Sequence, residues 1–149
     1  MLRSGQVDAI LICTPHAQHP EMTRQALEAG LHVLVEKPVG IFADEVAEIL
    51  PVLAERPELV CGVMYNRRAA QAYRHVKNLV QSGELGELVR CSWIITNLYR
   101  TEAYYTSGAW RGTWQGEGGG LLMTQASHQL DLMQWICGCL LYTSPSPRD

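Results

Sequence analysis

Three short apolar runs alternate with two helical patterns over the first 64 residues, and this alternation constrains the fold more than any other feature. The runs lie at residues 7–13, 31–35 and 59–64, and their aliphatic and β-branched side chains are typical of strands buried on both faces of a sheet. Between them, residues 20–29 and 44–56 carry helical patterns, the second with an internal proline that predicts a kink or break. The order strand, helix, strand, helix, strand predicts a parallel sheet with right-handed crossovers.

The pattern changes after the third run, so we place a domain boundary near Asn66. An amphipathic helix is predicted over residues 69–81, a long strand over residues 87–98 and a loop over residues 99–117. Three consecutive glycines then precede a helix predicted over residues 121–137.

The composition fits a packed domain and excludes several kinds of partner. Of 149 residues, 47% are hydrophobic and 18% are charged, which allows an ordinary core. The net charge of -3, without a basic block, predicts neither nucleic acid nor an acidic membrane surface as a partner. No apolar run approaches the roughly 18 residues of a membrane span. The five cysteines form no CxxC pair and no signal-peptide pattern is present, which favours free thiols in the cytoplasm. No metal site is predicted.

Both ends of the sequence differ from the pattern of a complete domain. Leu2-Arg3-Ser4-Gly5 reads as the last turn of a helix with a glycine cap, so a helix is expected before it. Residues 139–149 resemble the translation of a transposase sequencing adapter, so we expect a non-native tail, with a natural Ser/Pro-rich linker as the alternative. The sequence therefore predicts an internal fragment of a longer protein.

Polar residues follow two of the predicted strands at the point where each strand ends. Glu36-Lys37-Pro38 follows the second strand, and Thr14-Pro15-His16 with His19 follows the first. The carboxyl ends of parallel strands share one edge of the sheet, where open α/β sheets bind ligands. A lysine held there can exchange a proton with a substrate hydroxyl, and the proline makes a cis bond possible. The alternatives are a solvated lysine in a turn and a surface histidine at a helix start.

Two later clusters carry further candidate groups. Asn66-Arg67-Arg68 follows the third strand and either meets phosphate, carboxylate or sugar hydroxyl groups or forms a solvated turn. Thr124, His128 and Asp131 have the spacing that places side chains on one face of a single helix. Gly118-Gly119-Gly120 permits close approach of a ligand at the start of that helix. For His128, a partly buried histidine among apolar neighbours is the alternative.

The joint order and spacing of these motifs are more specific than any one of them. The motifs are Thr14-Pro15, Glu36-Lys37-Pro38, Asn66-Arg67-Arg68, Trp110-Arg111, Gly118-Gly119-Gly120, His128-Gln129-Leu130-Asp131 and Trp135. Over residues 5–138 this order resembles the glucose-fructose oxidoreductase and inositol dehydrogenase family (Gfo/Idh/MocA). Members have an N-terminal Rossmann domain for NAD or NADP and a C-terminal α/β domain with an open, mainly antiparallel sheet.

The resemblance implies a fold class and a domain division. The fold class is α/β, with the C-terminal half of a Rossmann parallel sheet followed by the start of an α+β substrate domain. Residues 1–66 would be a partial NAD(P)-binding Rossmann domain that lacks its first βαβ unit. Residues 67–138 would be a partial substrate and oligomerisation domain, and residues 139–149 the tail.

The resemblance also implies roles for individual residues. Lys37 and His128 would be the catalytic, proton-handling pair, with Lys37 near the reacting hydroxyl. Thr124 and Asp131 would contact the substrate, although Asp131 could orient His128 instead. The residues bordering the cofactor would be Thr14, Pro15, His19, Glu36, Lys37, Pro38, Arg67, Trp110 and Arg111.

Two departures from the family pattern bear on function. The family often has an aspartate where this chain has Thr124, and a threonine hydroxyl cannot carry the charge of a carboxylate. In addition, no GxGxxG follows a first strand and no acidic residue follows a second, although these elements bind the pyrophosphate and the ribose. We therefore expect the chain alone to bind dinucleotide weakly or not at all.

The implied function is that of an NAD(P)-dependent oxidoreductase. It would transfer a hydride between nicotinamide and a hydroxyl or carbonyl of a sugar, cyclitol or related polyol, and the intact protein would be a homo-oligomer. An NAD-dependent glycoside hydrolase of the same fold and a non-catalytic dinucleotide- or sugar-binding sensor are the alternatives. The choice between NAD and NADP, and the identity of the substrate, stay open.

Overall fold

The computed structural model describes residues 2–96 and 99–138, and these fall into two compact units. The first unit contains the described residues up to 64 together with residues 100–124, and the second contains the rest. The tail predicted over residues 139–149 lies outside the described residues.

A three-stranded parallel sheet forms the centre of the first unit, which confirms the predicted α/β fold class. Its strands are β1 (Ala9–Ile12), β2 (His32–Val35) and β3 (Cys61–Val63), in the order β1-β2-β3. The carboxyl ends of β1 and β2, with residues 13–19 and 36–38 that follow them, are called the strand edge below.

Three helices connect the strands of this sheet. They are α1 (His19–Glu28), α2 (Ala43–Ala47) and α3 (Ile49–Ala54). The break between α2 and α3 confirms the effect predicted for the internal proline. Because Pro51 has no N–H, the carbonyl of Ala47 loses its helical partner, and α2 ends at that residue.

The helices cover one face of the sheet. The core on that face consists of Ile12, Ala26, Leu27, Leu31, Val33, Val35 and Ile49. On the opposite face Leu11 is 58% exposed and its partner Leu34 is 38% exposed. The prediction that the strands are buried on both faces is therefore wrong for the described residues. Side chains alternate along a strand, and only one face is covered by helices here.

The rest of the first unit contains short helices where a loop was predicted. These are α5 (Glu102–Thr106), α6 (Trp114–Glu117) and α7 (Leu121–Thr124). The loop prediction for residues 99–117 is thus wrong in part, because one-turn helices are too short to show a periodic pattern.

The second unit contains α4 (Gln71–Gln81) and α8 (Ser127–Cys137), which pack together, and a 3₁₀ turn at Asn66–Ala69. The single helix predicted over residues 121–137 is wrong. Ala126, with φ of -86° and ψ of 0°, lies in the bridge region and interrupts the helical ladder.

The long strand predicted over residues 87–98 is absent from residues 87–96, and residues 97–98 lie outside the described part. A strand needs a neighbouring strand for its backbone hydrogen bonds, and none is found in the described residues of this unit. The open antiparallel sheet expected of the substrate domain therefore stays a prediction. Among the described residues, no helix has the length and apolar character needed to cross a bilayer.

Candidate functional site

Lys37 lies at the strand edge, two residues after the end of β2. Its Nζ donates a hydrogen bond to the main-chain carbonyl of Thr124 at 2.5 Å, and its backbone N–H donates to Oε2 of Glu36 at 3.2 Å. The peptide bond between Lys37 and Pro38 is cis, which confirms the expected geometry. The lysine is half-buried, so the interpretation as a fully solvated turn residue is wrong.

Thr124 contributes its carbonyl rather than its hydroxyl to this contact. The residue ends α7, where helix carbonyls lack an intrahelical partner, and it is only 8% exposed. Its hydroxyl donates to the carbonyl of Gly120 at 3.3 Å. The predicted face shared by Thr124, His128 and Asp131 is not formed on one helix, because α7 ends before α8 begins.

His19 is completely buried, with 0% of its surface exposed. Its Nδ1 lies 2.7 Å from the carbonyl oxygen of Pro38, and its Nε2 lies 2.8 Å from the carbonyl oxygen of Thr14. The ring thus joins the two chain segments of the strand edge. The interpretation of His19 as a surface residue is wrong, and its role beside a cofactor stays a prediction.

His16 is a titratable residue of the strand edge, and the sequence placed it in the cluster after the first strand without predicting a role for it. Its ring packs edge-on against Trp110 with 5.2 Å between centroids, and it lies 5.8 Å from the ring of His19. Burial lowers the pKa of His16 below 6.5, the positive charges of His19, Lys37 and Arg111 lower it further, and Glu117 opposes them. Burial and the neighbouring charges together favour the neutral form of the His16 imidazole.

The segment before the glycine run is held by a buried carboxylate. Glu117 is 6% exposed, and its Oε2 accepts a hydrogen bond from the backbone N–H of Gly112 at 3.0 Å. Arg111 is fixed as well, since its Nη1 donates to the hydroxyl of Tyr104 at 2.8 Å and its guanidinium lies 4.6 Å from the ring centroid of Trp110. Sequence reasoning missed Glu117, for which a carboxylate directly before three glycines was the available signal.

In the second unit, Arg68 and Asp131 form a bidentate ion pair between the 3₁₀ turn and α8. Nε of Arg68 donates to Oδ2 of Asp131 at 2.8 Å, and Nη2 makes a second contact with Oδ1. The Asp131 side chain is 8% exposed, while that of Arg68 is 43% exposed. The guanidinium carbon lies 5.9 Å from the ring centroid of Tyr65 and 5.6 Å from that of Trp135. Asp131 thus anchors α8, and its predicted contact with substrate is untested.

His128 lies in the first turn of α8, half-buried, with its ring edge-on to Tyr65 at 6.0 Å between centroids. The pKa of Tyr65 is raised by burial and by the negative charge of Asp131, against the opposing charge of Arg68. Next to His128, Gln129 accepts a hydrogen bond from Nη1 of Arg67 at 2.6 Å, in the amide orientation that also lets it donate to the Gln125 carbonyl. The roles predicted for His128 and Arg67 are not decided by these contacts.

The parallel sheet and the polar groups at its carboxyl edge define an α/β protein of the Rossmann class. Two family models match the chain, namely an oxidoreductase family with an NAD-binding Rossmann fold over residues 1–65 and a Gfo/Idh/MocA C-terminal domain over residues 73–140. The chain belongs to this Gfo/Idh/MocA oxidoreductase family, as its motif order predicted.

Three similar proteins illustrate the relationship. An uncharacterised oxidoreductase of Synechocystis is 33% identical over 93% of this chain, which spans 36% of the relative. Inositol 2-dehydrogenase of Corynebacterium glutamicum is 31% identical over 92% of the chain, which spans 37% of that protein. The structure of the WlbA dehydrogenase of Chromobacterium violaceum, in complex with NADH and UDP-GlcNAcA, is 30% identical with a TM-score of 0.78, over 93% of this chain and 39% of its own.

The strand edge carries polar groups at the place where open α/β sheets bind ligands. Lys37 and His16 lie at the carboxyl ends of two neighbouring parallel strands. The sequence has no GxGxxG turn, which is the element that holds a pyrophosphate in this class of fold.

Proposed function

We propose that this chain is part of a longer NAD(P)-dependent oxidoreductase acting on a hydroxyl or carbonyl group of a sugar, cyclitol or related polyol. The observation that carries the proposal is Lys37, held half-buried at the carboxyl edge of a parallel sheet in a family described as NAD-binding. The substrate class is supported by similarity to an inositol 2-dehydrogenase and to a dehydrogenase solved with a nucleotide sugar.

Oxidation of a secondary alcohol removes a hydride from carbon and a proton from oxygen. NAD(P)+, when bound, supplies the hydride acceptor. The proton needs a protein group within hydrogen-bond reach of the hydroxyl, and we assign that task to Lys37. In the reverse direction Lys37 returns the proton and polarises the carbonyl oxygen.

Lys37 is held by an acceptor that cannot itself take up a proton. Its Nζ bonds to the main-chain carbonyl of Thr124, and the Thr124 side chain is a hydroxyl that carries no charge. The proton taken by Lys37 therefore has to leave by another group. We assign His128 as the second proton-handling residue of the full-length protein, since an imidazole can both accept and donate a proton.

The experiment is a turnover assay on the full-length protein with NAD+ and with NADP+, using a panel of inositols, sugars and nucleotide sugars. Absorbance at the nicotinamide band follows hydride transfer. We expect Lys37→Ala to lower turnover by about 100-fold or more with cofactor affinity largely kept, because general acid–base catalysis contributes about 10²–10⁴. The chain's other lysine, Lys77, provides the matched control Lys77→Ala.

A second candidate function follows from Thr124. Its hydroxyl donates to the Gly120 carbonyl and carries no charge where the family often has an aspartate, and a non-catalytic dinucleotide- or sugar-binding sensor needs no proton path through this residue. Saturable cofactor binding by the full-length protein, with no turnover on the whole panel, would favour the sensor over the oxidoreductase. We also propose a cytoplasmic homo-oligomer, which light scattering of the full-length protein and fractionation of cells would test.

A further inference from the structure

We propose that His19 is a positioning residue, which sets the direction of Lys37 by holding the carbonyl of Pro38 against the end of β1. The inference rests on the proposed function, because it assigns His19 a task in the chemistry of Lys37. The His19 ring is buried inside the first unit.

Two hydrogen-bond contacts carry the proposal. His19 opens α1, and its ring lies between two backbone carbonyls, 2.7 Å from that of Pro38 and 2.8 Å from that of Thr14. A carbonyl oxygen only accepts hydrogen bonds, so the ring donates through Nδ1 to Pro38, through Nε2 to Thr14, or through both as an imidazolium. The carbonyl of Pro38 is one residue from Lys37, so holding it restricts the backbone that carries the lysine.

The packing around the ring gives independent support. A Cβ built on Gly40 would lie 2.7 Å from Cγ of Pro20 and 2.8 Å from Cγ2 of Val46, so the turn after Lys37 already touches the start of α1. His19 adds the polar contacts to this apolar one. The ring itself is 0% exposed, so its two contacts lie inside the protein, where a carbonyl left without a donor is destabilising.

The geometry predicts that the two ring nitrogens matter unequally. Nδ1 faces the segment that carries Lys37, whereas Nε2 faces the end of β1. An asparagine amide reaches the position of Nδ1, and a glutamine amide reaches that of Nε2. His19→Asn should therefore keep the contact to Pro38, and His19→Gln should keep only the contact to Thr14.

The test measures kcat, KM and NADH affinity in the full-length protein for His19→Leu, His19→Asn and His19→Gln. We expect His19→Leu and His19→Gln to lose about 10–100-fold in kcat, since a 1 Å misplacement can cost about 10²-fold. We expect His19→Asn to stay within about fivefold of the parent, and NADH affinity to change little in all three. His75, exposed on α4, supplies the matched control His75→Leu.

The outcomes separate positioning from a merely structural role. Equal losses in His19→Asn and His19→Gln that follow the loss of thermal stability would overturn the proposal, as would a folded His19→Leu with unchanged kcat. If His19→Leu does not fold, the Asn and Gln pair decides alone. Lys37→Ala is run alongside them. If that variant retains full turnover, the proposed function fails, whereas a dead Lys37→Ala beside a fully active His19→Leu refutes only the positioning role.

Discussion

Gly118 should be the least replaceable glycine of the run that precedes α7. Its φ is +72°, and a Cβ built on it would lie 2.0 Å from Cγ2 of Ile41, which is itself buried. An alanine there meets two costs. The left-handed backbone costs about 1–2 kcal/mol, and the overlap with Ile41 adds about 1–3 kcal/mol of overpacking. Gly118→Ala should therefore lower the free energy of unfolding by about 2–5 kcal/mol.

Substitutions at two other glycines allow the backbone cost and the steric cost to be measured separately. Gly30 has a φ of +80° with open space around its Cβ position, so Gly30→Ala should show the backbone cost alone, about 1–2 kcal/mol. Gly120 has open space and no left-handed φ, so Gly120→Ala should be neutral or slightly stabilising.

Urea unfolding followed by far-ultraviolet circular dichroism measures all three variants, provided that the slope with denaturant is unchanged. A Gly118→Ala variant no less stable than Gly30→Ala would refute the steric argument. A large loss in Gly120→Ala would instead show that the run is needed as a whole. The predicted pattern would mean that the first glycine serves packing against Ile41.

Two titrations test the electrostatics of each unit. The positive charge of Lys37 lowers the pKa of His16, so Lys37→Ala should raise that pKa toward 6.5. Glu117 raises the same pKa, so Glu117→Gln should lower it further. Nitrogen NMR of the His16 ring measures both changes, and an unchanged titration in Lys37→Ala would place the ammonium away from His16. In the second unit, the negative charge of Asp131 raises the pKa of Tyr65, so Asp131→Asn should lower that pKa. Carbon NMR of labelled tyrosine measures it, and a constant or higher pKa would contradict the prediction.

The parts of the fold that the sequence predicted are those with repeated, local signals. β1, β2 and β3 appear as apolar runs, and a break occurs just before Pro51, because both signals act within a few residues. The long strand predicted over residues 87–98 is absent from residues 87–96, because a strand is not decided by local signals alone. Its formation depends on a partner strand, which a local pattern cannot supply.

In the candidate site, too, local signals were predictable and contacts with distant partners were not. The position of Lys37 at the strand edge followed from the strand pattern, and the family followed from motif order. The hydrogen-bond acceptor of Lys37 could not be predicted from the sequence, because it is a main-chain carbonyl, and any residue at position 124 would provide one. The burial of the His19 ring was also unpredictable, since its partners are backbone carbonyls that leave no mark in the sequence.

The most direct test of the account is the rate of hydride transfer in a single turnover of the full-length protein, compared between Lys37→Ala and Lys77→Ala. Stopped-flow absorbance of the nicotinamide, with a substrate found active in the panel, isolates this step from product release. If Lys37 handles the proton, the rate should be lower by about 10²–10⁴ in Lys37→Ala, with NADH affinity unchanged and Lys77→Ala close to the parent. A Lys37→Ala variant that transfers hydride at the parent's rate would contradict the assignment of Lys37 as the proton-handling group.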